Sequence, residues 1–112
     1  MATYLISFPA EAMQLTPDEF EQSSVDSHAV IEELKAAGAY VFGGGIDDSV
    51  APVRVAADGA ASEGTYPGSH LTGGFLVIEV PDRDAAIEWA AKVAAACRCD
   101  QELRVFGYDP AS

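Results

Sequence analysis

The sequence predicts an α+β fold, a ferredoxin-like subunit with an antiparallel sheet and two main helices, and three observations carry that prediction. Strand, helix and strand patterns follow one another in each half of the chain, with a hairpin signal inserted between the halves. The stretch GGFLVIEV (73–80) is almost continuously apolar, as suits a strand in the middle of a sheet. No linker or low-complexity tract divides the 112 residues, and a chain of that length buries roughly two-thirds of its unfolded surface, enough for one core and a single domain, 1–112.

The elements follow in order. TYLISF (3–8) is β-branched and aromatic and stops at Pro9, so it reads as the first strand. Thr16, Pro17 and Glu19 then form a helix start, with Thr16 as N-cap, Pro17 at the first helical position and Glu19 closing a capping box. The helix carries a stripe of Phe20, Ser24, Ser27, Ile31 and Leu34 and ends at Gly38. Because the N-terminal end of this stripe is half polar, it should pack loosely or border a cavity or a partner. AYVFGGGI (39–46) is a second strand ending in three glycines, and Asp58-Gly59 marks a hairpin turn between two short strands in 52–62. After a loop (63–72) and the central strand, Asp82 caps a second helix whose inner face is Ala86, Ala90, Val93, Ala94 and Cys97. QELRVFGY (101–108) is the last strand. A sheet with helices on one face leaves the other bare, and pairing of two sheets in a homodimer covers it most economically.

Charge and cysteines narrow the partners. Eighteen Asp and Glu against six Lys and Arg give a net charge of −12, which repels nucleic-acid phosphates and anionic lipid alike. Cys97 and Cys99, one residue apart, make no disulfide framework and point to a reducing compartment. With two His in the chain, donors for a metal are few, and no cofactor or metal is expected. No run of about 18 apolar residues could span a membrane, and the N-terminus lacks the basic and apolar regions of a signal peptide. The expected location is cytoplasmic.

LKAAGAYVFGGGI, EGTYPGSHLTGGFLVIEV, DAAIEWAAKVAAA and ELRVFG together resemble the YCII-related family, over roughly residues 3–108. Within it the chain is most similar to the group named for an Asp-Gly-Pro-Phe motif. Here Glu63-Gly64-Thr65-Tyr66 stands in place of that motif, Pro67-Gly68-Ser69-His70 replaces a charged segment, and Gly73-Gly74-Phe75 matches outright. The resemblance implies a dimeric α+β barrel, two subunits with sheets facing and a cleft between sheet, helix and loops. It also implies two contexts. Some relatives are small enzymes acting on ring or lactone compounds with a His and an Asp as acid and base, and some are encoded beside or fused to sigma factors.

The candidate site residues follow. His28 lies at the rim of the first helix's apolar stripe, where the family often shows a His. It could face a cleft and carry a proton, or pair with Glu32 one turn on. Asp47, with Asp48, closes the glycine-rich strand, where a carboxylate could orient that His or simply sit in a turn. In the family the loop before GGF borders the barrel mouth, which implies Tyr66, Ser69 and His70 as ligand contacts. The expectation is a small-molecule-binding dimer with a proton-transfer cleft of lyase or isomerase type, and whether it is an enzyme is left open. The alternative is a non-catalytic accessory or regulatory dimer that binds a protein partner, linked to sigma-factor regulation.

Overall fold

The computed structural model describes residues 1–112. Strand β1 (Ala2–Phe8) ends where Pro9 removes the next N–H, and a single 3-10 turn over Ala10–Ala12 carries the chain across the end of the sheet. Helix α1 (Pro17–Ala36) starts on the capping box its sequence announces. The Thr16 hydroxyl accepts from the Glu19 N–H, and the Thr16 N–H donates to the Glu19 carboxylate. It ends at Gly38, whose φ of 71° reverses the chain into strand β2 (Tyr40–Gly45). Strand β5 (Gly74–Val80), helix α2 (Arg83–Cys97) and strand β6 (Glu102–Val105) complete the main unit.

The four main strands are antiparallel in the order β2-β5-β1-β6, so the apolar β5 and β1 occupy the centre. The register of β1 on β5, from Ala2 opposite Val80 to Phe8 opposite Gly74, aligns Tyr4 and Ile6 with Ile78 and Leu76 on one face. All four are buried, under Val30 and Leu34 of α1 and Ala86, Val93, Ala96 and Cys97 of α2. Residues one step out of phase point the other way. Leu5, Val77 and Phe42 therefore lie on a face that no helix covers, and Phe42 is 61% exposed.

The expected stripe of α1 is turned slightly. The most buried positions are Ser23, Val30 and Leu34, whereas Ser24, Ser27 and Ile31 are half-buried and Phe20 is exposed. On α2, Ala86, Val93 and Cys97 are buried as expected, Ala96 joins them, and Ala90 and Ala94 are half-buried. The last strand stops at Val105 rather than 108: β1, its only neighbour, is running out, and the final bond is from Phe106 N–H to the Thr3 carbonyl.

Between β2 and β5 the chain makes a separate two-stranded sheet, β3 (Val53–Val55) and β4 (Ala61–Glu63), around the Asp58-Gly59 turn. Every residue of both strands is exposed. The molecule is correspondingly open. Its accessible surface of 7703 Å² exceeds the roughly 5,900 Å² expected for a monomer of its mass. Its radius of gyration of 15.6 Å likewise exceeds the roughly 13 Å of a compact chain of this length.

Candidate functional site

Where α1 turns away from the stripe expected of it, a cleft of about 630 Å³ opens between its N-terminal half and the sheet. Small residues on both sides create it. Ser23, Ser24 and Ser27 stand on the helix wall where larger side chains would have met the sheet, and Gly43 and Gly45 stand opposite with none, Gly44 between them being turned to the other face beside Phe42. Ile6, Phe8 and Leu76 form the floor, Met13 and Leu15 cover one side, and Val93, Cys97 and Gln101 close the far end.

Gly73 fixes the mouth. Its φ of 76° is left-handed, and a Cβ there would fall on the Phe8 carbonyl oxygen, so β5 can begin against the end of β1 only with glycine. The Gly73 carbonyl in turn accepts from Ile46 N–H at 2.8 Å, tying the glycine end of β2 to the same corner. Thr72 adds a third tie, its hydroxyl accepting from Ala10 N–H at 3.0 Å.

Three polar side chains in the cleft are already used. Ser23 Oγ donates to the Ala96 carbonyl at 2.7 Å, Ser27 Oγ donates to the Ser24 carbonyl at 3.1 Å, and Gln101 Nε2 donates to the Cys99 carbonyl at 3.3 Å. Burial raises the Cys97 thiol, with a smaller push from Cys99, to a pKa of about 11, so it is a neutral apolar part of the wall. His28, Asp48 and the Ser24 hydroxyl are the exceptions: all three line the cleft without a side-chain partner within the protein, and His28 and Asp48 are the ionisable ones. Glu32, the residue that could have held His28, pairs with Lys35 at 3.5 Å instead.

The other candidates lie outside this lining. Asp47 turns its carboxylate onto Ser49, accepting from the backbone N–H at 3.0 Å and the hydroxyl at 2.6 Å, and these bonds hold it below the usual carboxylate range. It shapes the turn that presents Asp48. His70 is exposed, with Nδ1 3.7 Å from Glu11, and Tyr66 stacks under Arg54 with 4.6 Å from guanidinium to ring centre. Ser69 N–H bonds the Tyr66 carbonyl at 3.1 Å within the same loop. In a single chain the lining of the cleft thus takes in His28 and Asp48, but not Asp47, Tyr66, Ser69 or His70. A signal for Asp48 was present: in Asp-x-Ser the first Asp habitually caps its own turn, which frees the residue after it. No three His, Cys, Asp or Glu side chains converge in a way that could hold a metal ion.

Comparison with curated proteins finds no match. The family model for the YCII-related domain matches residues 2–98, which takes in both helices, five of the six strands and the whole lining of the cleft except Gln101. The chain belongs to the YCII-related domain family.

Proposed function

We propose that the protein is a homodimer whose subunits each bind a small molecule in the cleft between α1 and the sheet, with His28 as the proton-carrying group and Asp48 as the carboxylate beside the reacting end. One observation carries this reading. In a cleft walled largely by apolar side chains, with Ser23 and Ser27 committed to backbone carbonyls, the uncommitted ionisable groups are a His and a carboxylate, alongside the free Ser24 hydroxyl. An imidazole can give or take a proton near neutrality, and a carboxylate in the same lining can orient a ligand or stabilise a developing positive charge. Such a pair suits proton transfer of lyase or isomerase type. Asp47, whose Oδ1 accepts both bonds from Ser49 and which lies outside the cleft lining, supports the lip rather than the reaction.

The dimer is supported by the bare face of the sheet and by a surface some 1,800 Å² larger than a compact monomer needs, against the roughly 800 Å² that a partner in a stable pair buries. Facing sheets would give the dimeric α+β barrel, and the loop with Tyr66, Ser69 and His70 would then meet the neighbouring subunit. Placement in the Asp-Gly-Pro-Phe group rests on Gly73-Gly74-Phe75, and a reducing cytoplasmic interior on the unpaired Cys97 and Cys99. The reading of an accessory dimer for a protein partner draws on one feature, the exposed Val50, Val53 and Val55 of the β3–β4 arm.

A thermal-shift panel of lactones, alcohols, amides and amines tests the cleft. A ligand at a hundred times its Kd stabilises the fold by about 2.7 kcal/mol, several degrees in a chain of this size. The shift should vanish in His28→Ala with the melting temperature of the free variant unchanged. A shift that persists in His28→Ala removes His28 from the site.

A further inference from the structure

Resting on that reading of the cleft, we infer that it selects uncharged or cationic molecules, apolar over most of their length with one hydrogen-bond-donating end, and rejects carboxylates and phosphates. The argument is one of missing counter-charge. None of the six Lys and Arg side chains lines the cleft. Lys35 is held by Glu32, Lys92 by Glu33, Arg98 by Asp26 and Arg104 by Glu102, while Arg54 lies over Tyr66. Arg83 opens α2, at the end of that helix away from the Val93 and Cys97 that border the cleft.

Backbone offers an anion no substitute. The positive end of α1 is answered by its own Glu19, whose carboxylate closes the capping box, and the end of α2 that reaches the cleft at Cys97 is its negative one. β2 is the edge strand: its inward N–H groups are spent on the ladder with β5 and Ile46 N–H on the Gly73 carbonyl, and its outer ones lie in the plane of the sheet rather than toward the cleft above it.

What the lip does hold is negative. Asp48 has no basic partner, and it sits on a chain of net charge −12. An anionic ligand would give up its water for apolar walls, gain no cation and face a carboxylate, a cost that grows as the site becomes drier. An ammonium, amide or hydroxyl group meets the reverse situation: Asp48 accepts its proton, and His28 supplies a second polar contact.

Three probes of matched shape separate the cases: 3-phenylpropylamine, 3-phenylpropanamide and 3-phenylpropanoate. They are titrated calorimetrically into the full chain at low salt and about pH 8, above the ordinary histidine range. The amine should bind about tenfold or more tightly than the carboxylate, with the amide between them. In Asp48→Asn, a substitution at an exposed position, the advantage of amine over amide should fall to about twofold or less. Ser27→Phe, which fills the cleft, should abolish binding of all three.

Carboxylate binding as tight as that of the amine overturns the inference and leaves the cleft standing as a binding site. Amine binding unaffected by Asp48→Asn overturns it as well. Absence of binding by all three probes removes the underlying reading and the inference together.

Discussion

Gly73 is the residue on which the cleft's shape most depends. A side chain at φ 76° is strained, and here the added carbon also meets the backbone of Phe8, Pro9 and Ala10, which cannot swing aside. Gly73→Ala should therefore cost about 3 kcal/mol, read as a lower urea midpoint. Gly59→Ala is the control, since its φ of 92° carries strain but nothing lies within reach of a new Cβ. Equal losses in the two variants would show that the corner is not close-packed. At this scale the sequence was partly legible. His28 could be placed at the rim of its helix, but Asp47 and Asp48 are neighbours in a turn, and which of them faces inward is decided by the Ser49 hydroxyl at 2.6 Å. Tyr66, Ser69 and His70 sit in a loop whose path depends on glycine torsions at Gly64, Gly68 and Gly73, and a pattern of residue types does not fix those.

Between elements, the two helices are clasped at the end of α2. The Ala96 carbonyl accepts from Ser23 of α1 and from Arg98 at 2.6 Å, and Arg98 also reaches Asp26 of α1 at 2.9 Å. Arg98 itself sits at φ 57°, the left-handed position where helices usually end in glycine. Arg98→Gly should consequently be more stable than Arg98→Ala by about 1 kcal/mol in urea melts, since both lose the clasp and only the first sheds the backbone strain. Hydrogen bonds from Gln22 and then Arg98 hold Asp26 below the usual carboxylate range. A depressed folded pKa stabilises the fold above the unfolded value and loses that stabilisation as pH falls through the folded one. Asp26→Asn should thus flatten the acid limb of the stability curve below about pH 4. An unchanged limb would mean that the pair is not formed in solution, because Glu19 and Asp47, which are also depressed, would then account for all of it.

Element boundaries were readable wherever a cap or a continuous apolar run marks them, as at Thr16, Gly38, Asp82 and β5. They were not readable where a neighbour decides. β6 keeps its alternation to 108 in sequence but loses its pairing partner at the start of β1. The stripe of α1 straddles core and cleft, a division that becomes visible only once the glycine end of β2 is known to lie opposite.

The whole molecule is underburied for its size. Only 14 of 112 residues are buried, and the uncovered sheet face carries Leu5, Phe42 and Val77. On the proposed homodimer this is the face that a second copy covers, with Glu79, Glu102 and Arg104 in phase with its apolar residues. Light scattering should give twice the 11.7 kDa chain mass, and Phe42→Glu should shift it toward the monomer. A wild-type monomer at micromolar concentration would instead assign the face to a different protein, the accessory reading. The negative charge bears on the same scale: it disfavours anionic partners whether they approach the sheet or the cleft.

The central claim, that the cleft under α1 binds small molecules, is tested most directly by amide chemical shifts of the labelled protein as 3-phenylpropylamine is added. The account predicts that the largest changes cluster at Ser24, Ser27, His28, Gly44 and Asp48, from both sides of one cavity. Changes confined to the β3–β4 arm or the uncovered sheet face, or none at millimolar probe, would contradict it.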